Sequence, residues 1–202
     1  MRTRIFLWGL SNGIIALTVA ALFWLGLALG PSADKVEWFV DALVMLLVYG
    51  SCGVCIWGAI RIRLRSGFQR ADLKPSDPDQ RAENRKIVLG FIKVVVVQAV
   101  LVVLTVVWCL QSASQEVMWS LIALIISLHF IPLGRIFQVR PYYFVGAIGG
   151  VLSLASFAPF IAPYRVMYLG VGMGIVMLGS AAFLLWKADE IALRASGEED
   201  KI

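Results

Sequence analysis

Six long apolar runs, broken by short polar ones, make up most of this chain. They cover roughly 5–29, 36–60, 87–110, 117–138, 142–162 and 165–187. Each holds about the 20 residues that a helix needs to cross a bilayer core of about 30 Å. The alternation expected of barrel strands is missing, since "VVVVQAVLVVLTVV" (94–107) is apolar on every side. Helices also keep every backbone hydrogen bond within one segment, which hydrocarbon requires. The pattern therefore predicts an all-α integral membrane protein with six transmembrane helices in three antiparallel hairpins. It reads as one domain over 1–202, with a cytosolic linker at 61–86 and a cytosolic tail at 188–202. The first run is longer than the roughly 7–15 apolar residues of a signal peptide, so it is expected to stay as a helix.

The basic residues orient the helices. Of 18 Lys and Arg, all but Lys35 and Arg165 fall on one side of the six spans. The richest stretch lies between spans two and three, from Arg61, Arg63 and Arg65 to Arg85 and Lys86. Positive charge collects on the cytoplasmic side, so both termini are expected there, in a bacterial-type inner membrane. Tryptophans agree with this frame: Trp8, Trp57 and Trp186 fall near the inner boundary, and Trp24, Trp38, Trp108 and Trp119 near the outer one.

Composition changes little in this picture. The chain is 60% hydrophobic and 15% charged, with mean hydropathy +0.84, whereas soluble domains run about 45–50% apolar and about 25% charged. The net charge of +5 would raise nucleic-acid binding in a soluble protein. Here the charges sit between the apolar runs, so no nucleic-acid partner is expected. Arg61, Arg63 and Arg65 could instead attract anionic headgroups. Glycines four apart (Gly9/Gly13, Gly26/Gly30, Gly146/Gly150, Gly170/Gly174) allow close helix contact. They suit packing within the chain or a homodimer.

Ionisable and polar groups inside a membrane are costly, which makes them candidates for function. Asn12, Lys93 and His129, the one histidine, lie at one expected level in the inner leaflet. Together they would form a polar pocket open to the cytosol. Pro132 cannot donate a backbone hydrogen bond, so it should kink helix four beside His129. Arg135, Tyr142 and Tyr143 would stand at the mouth. The plainer alternative is a histidine satisfied by a backbone carbonyl that Pro132 frees. On the outer side, Asp41 and Arg165 are expected to pair. "SCGVC" (51–55) contains a C-x-x-C, but the expected apolar surroundings fit small core residues better than redox chemistry. One histidine and no H-E-x-x-H argue against a zinc site. No nucleotide-binding motif occurs, and no cofactor is expected.

His129-Phe130-x-Pro132-Leu133, followed by Tyr142-Tyr143-x-x-Gly146, resembles a signature of small bacterial six-helix inner-membrane proteins of unknown function. The resemblance covers about 20 residues closely. It implies the same topology and carries no activity. Two functional readings follow from the residues. One is a protein that binds or transports a small ligand through the polar pocket. The other is a structural or regulatory partner acting through helix contacts. A third is an intramembrane enzyme.

Overall fold

Six α-helices form among the described residues, and their ends follow local chemistry. In the computed structural model the described backbone covers residues 2–28, 38–66, 78–137, 139–188 and 190. Side chains are described from Gly9 in α1, from Leu46 to Leu64 in α2, and in α3 apart from positions 80, 83 and 84. The helices are α1 (Arg2–Ala28), α2 (Trp38–Ser66), α3 (Pro78–Gln111), α4 (Gln115–Phe137), α5 (Arg140–Ala155) and α6 (Arg165–Trp186), with a 3-10 helix at Pro159–Tyr164 between the last two. No strand occurs among the described residues.

Three boundaries differ from the hydropathy pattern. First, α2 and α3 run into the expected linker, as far as Ser66 and back to Pro78. Helix propensity does not stop where apolarity stops: Pro78 suits a first helical position, and Asp79 favours the positive end of the helix dipole. Second, α5 has only 16 residues where a span over 142–162 was expected. Pro159 forces the residue before it out of helical geometry, and Ala158 sits at φ −62°, ψ 135°. A second proline, Pro163, keeps the next six residues in a short 3-10 helix. Third, five stretches rather than six are long and apolar enough to cross a membrane among the described residues. They are Gly9–Ala28, Leu46–Leu64, Arg85–Gln111, Gln115–Phe137 and Pro159–Trp186.

The residues divide into two units. The first comprises Met1–Leu22, Ala33–Asn84 and Met177–Ile202. Its fully buried residues include Ile14, Leu17, Thr18, Cys52, Met177 and Leu184. The Thr18 hydroxyl donates to the Ile14 carbonyl at 2.8 Å, which lets a polar side chain sit in this core. Cys52 and Cys55 are both buried and unbridged, and the Cys55 thiol lies against Thr18. Gly58 makes room for Leu185, whose side chain would lie 2.5 Å from an added β-carbon.

The second unit comprises Phe23–Ser32 and Arg85–Val176. Here α3 and α4 form a hairpin. The chain turns over Ser112–Ser114, with Ala113 in the left-handed region at φ 53°, and Gly90 on α3 comes back beside Ile136 on α4. Helices α4 and α5 approach more closely still. A β-carbon on Gly146 would lie 3.0 Å from the Ser127 carbonyl, and one on Gly149 would lie 2.5 Å from the Ser127 hydroxyl. The close contact therefore uses Gly146 and Gly149, not the Gly146/Gly150 pair expected from a four-residue spacing, because Gly150 has open space beside it. The Gly170/Gly174 pair does meet a neighbour: Gly170 packs against the backbone of Trp24 and Ala28, and Gly174 against Leu25. Trp24 is only 1% exposed, so it fills the core of this unit.

Candidate functional site

Four buried hydroxyls of the second unit lie on α4 and at α5, and two of them are linked. Ser120, Ser127, Ser153 and Ser156 are all fully buried. Ser127 and Ser153 satisfy themselves locally, donating to the Ala123 and Gly149 carbonyls at 2.7 Å. Ser156 crosses between helices, with its hydroxyl 2.8 Å from that of Ser120. Arg165 adjoins this pair at 8% exposure. Its Nε donates to the Ser156 carbonyl at 2.9 Å and its Nη1 to the Glu116 carbonyl at 2.7 Å. One guanidinium thus joins the start of α6, the end of α5 and the start of α4. Ser156 is the C-cap of α5, where carbonyls lack helical partners and attract positive charge. The expected partner, Asp41, has a side chain outside the described residues. The serines were not singled out in the sequence, because a hydroxyl bonded to its own helix leaves no spacing signature.

Two residues beyond Ser127 on α4 lies His129. The ring is half-buried, and its Nδ1 donates to the Ile126 carbonyl one turn back. A carbonyl can only accept, so Nδ1 carries a proton, and in the neutral ring Nε2 then keeps its lone pair. The acceptor is the Ile126 carbonyl, not the Leu128 carbonyl that Pro132 leaves without a helical donor. Pro132 itself lies within the continuous helix α4. The ring also lies 4.4 Å from that of Phe130, tilted by 43°, and the Phe130 ring in turn lies 5.8 Å from Tyr142. Tyr142 is thereby buried between α4 and α5. Tyr143 is more exposed and covers Gly134.

Lys93 and Arg135 are exposed. Asn12 is half-buried beside the fully buried Ser11 and belongs to the first unit. The structure thus brings His129, Phe130 and Tyr142 together and leaves Lys93 and Arg135 on the surface of the second unit. Arg61 and Arg63 are exposed at the end of α2, and the side chain of Arg65 lies outside the described residues. No cluster of His, Cys, Asp and Glu able to hold a metal occurs among the described residues.

Helix α3 adds a feature that the sequence reading passed over. Cys109 is its one fully buried side chain among those described, and a stripe of half-buried positions (Gly90, Val94, Gln98, Val102, Thr105) leads up to it. From Ile87 to Leu110 most exposed side chains of the helix are valine, leucine or isoleucine. Comparison of the chain with protein-family models, curated proteins and solved structures returned no match.

Proposed function

We propose that this chain is a multi-pass membrane protein of a bacterial-type inner membrane that binds a small ligand at an intramembrane site centred on His129. Both termini lie on the cytosolic side in this reading, following the bias of the basic residues. Support for the membrane comes from the five long apolar stretches. The exposed faces of α3, which carry Val96, Val100, Leu104 and Val107, add to it, because a water-facing helix would not show apolar side chains all round. The short α5, Arg140–Ala155, would make the sixth crossing.

The observation that carries the ligand reading is the hydrogen bonding of His129. Nδ1 is held by Ile126, so the ring is fixed and Nε2 is left as an acceptor at a half-buried position. Among the described residues Nε2 has no partner. An imidazole fixed in this way can accept a hydrogen bond from a ligand or relay a proton.

A thermal-unfolding screen of the purified protein against ions, lipids and metabolites tests this reading. A ligand of the folded state raises the midpoint, and His129→Ala should abolish that rise. A complete screen with no stabilising compound would sink the ligand reading. It would favour the alternative, a partner protein acting through helix contacts. For that alternative, the exposed small residues Gly50, Ser51 and Gly53 on α2 are the best support.

A further inference from the structure

The α3–α4 hairpin has a readable register. Gly90 lies beside Ile136, and the rings of Phe91 and Phe137 stand 5.8 Å apart. The turn is at Ser112–Ser114. Carrying that register toward the turn sets Val102 level with Ile125, Thr105 with Ile122, and Cys109 with Met118. It sets Gln98 level with His129, to within about one residue rise of 1.5 Å. Both are half-buried and lie on the facing stripes of their helices. His129 is seven residues before Ile136, two helical turns along the same face. Gln98 is the centre of the half-buried stripe of α3.

Among the described residues, neither the Gln98 carboxamide nor His129 Nε2 has a hydrogen-bond partner. Their chemistry is complementary to one group in particular. In the neutral ring Nε2 only accepts, because Nδ1 holds the proton. The carboxamide nitrogen donates. A hydroxyl can satisfy both, donating its hydrogen to Nε2 while its oxygen accepts from Gln98. Lys93 and Arg135 are exposed, and the flanking side chains Val95, Val97, Leu128 and Ile131 are exposed and apolar. His129 is also eight residues from the end of α4, about 12 Å along its axis. A ligand reaching this level past apolar side chains would carry an apolar body.

We infer that Gln98 and His129 together form a hydroxyl-binding site for a membrane-soluble amphiphile, such as a lipid alcohol, in the α3–α4 hairpin. This rests on the His129 reading above and names its second residue and its ligand class. The test uses the full-length protein in detergent with two probes, 1,2-dioctanoylglycerol and the same molecule with its hydroxyl acetylated. The free hydroxyl should raise the unfolding midpoint by about 3 °C or more at saturating probe, and the acetylated probe should not. Gln98→Leu, Gln98→Met and His129→Phe should each abolish the difference while keeping a cooperative transition. Equal shifts from the two probes, or no shift from either, overturn the inference. A shift that survives both Gln98 variants and fails in His129→Phe removes Gln98 and leaves the His129 reading standing. A shift that survives all three variants places the probe elsewhere and overturns the inference. The His129 reading then rests on the wider ligand screen alone.

Discussion

Replacing Gly170 with alanine is expected to lower stability by about 2 kcal/mol, although alanine is the better helix former. A β-carbon at this position would lie 2.5 Å from the Trp24 carbonyl oxygen, 2.6 Å from the Ala28 β-carbon and 2.9 Å from the Ala28 nitrogen. Two of these three are backbone atoms, which cannot turn aside as a side-chain tip can. The helices must move apart, and the dispersion contacts along Gly170 and Gly174 weaken with them. Overpacking of this kind costs about 1–3 kcal/mol, occasionally more. The propensity gain from glycine to alanine is at most about 1 kcal/mol. For a chain of this size a 2 kcal/mol loss corresponds to roughly 4–8 °C in the unfolding midpoint. The control is Gly150→Ala in α5, where an added β-carbon meets nothing within 4 Å. That change should be neutral or slightly stabilising. Thermal unfolding in the same detergent compares the two. Equal effects would mean that the Gly170 contact does not hold these helices together.

Loss of the Arg165 side chain is expected to cost about 3 kcal/mol. Two charge-assisted hydrogen bonds disappear in Arg165→Ala, each worth about 1.5–3 kcal/mol. The carbonyls of Ser156 and Glu116 both lose this donor. Arg165→Lys should recover about half, because one ammonium cannot reproduce a fork that donates in two fixed directions. Arg165→Met preserves much of the volume and removes the charge, so it separates packing from hydrogen bonding. If the methionine variant is as stable as the native protein, the guanidinium tie contributes nothing to stability and the argument fails.

The existence of the helices was legible in the hydropathy pattern because each apolar run is long. Their ends were not, since apolarity is a weak guide to where a helix stops. The segment "FAPFIAPY" (157–164) is apolar enough to read as the end of a span, yet its prolines break the helix. Conversely, the charged ends of α2 and α3 remain helical because nothing in them opposes it. Glycine spacing was informative for Gly170/Gly174 and misleading for Gly146/Gly150, where the helices meet along Gly146 and Gly149. Sequence spacing gives a face only to within about one residue. The candidate site divides similarly. His129 is conspicuous as the one histidine. Gln98 is hidden in a run of valines, and only the register of the hairpin sets it level with His129. Arg165 was noticed as an outer charge, but the partners it meets among the described residues are backbone carbonyls, which no residue pattern can reveal.

The state of the His129 ring is the most direct test of the account. Since the chain holds a single histidine, selective 15N-histidine labelling reports this site alone. The account predicts one resonance of the protonated-nitrogen type for Nδ1 and one of the bare-nitrogen type for Nε2 in the ligand-free protein. Addition of 1,2-dioctanoylglycerol should move the Nε2 resonance and leave Nδ1 nearly unchanged. A proton on Nε2 in the ligand-free protein, or resonances that ignore the free-hydroxyl probe, would contradict it.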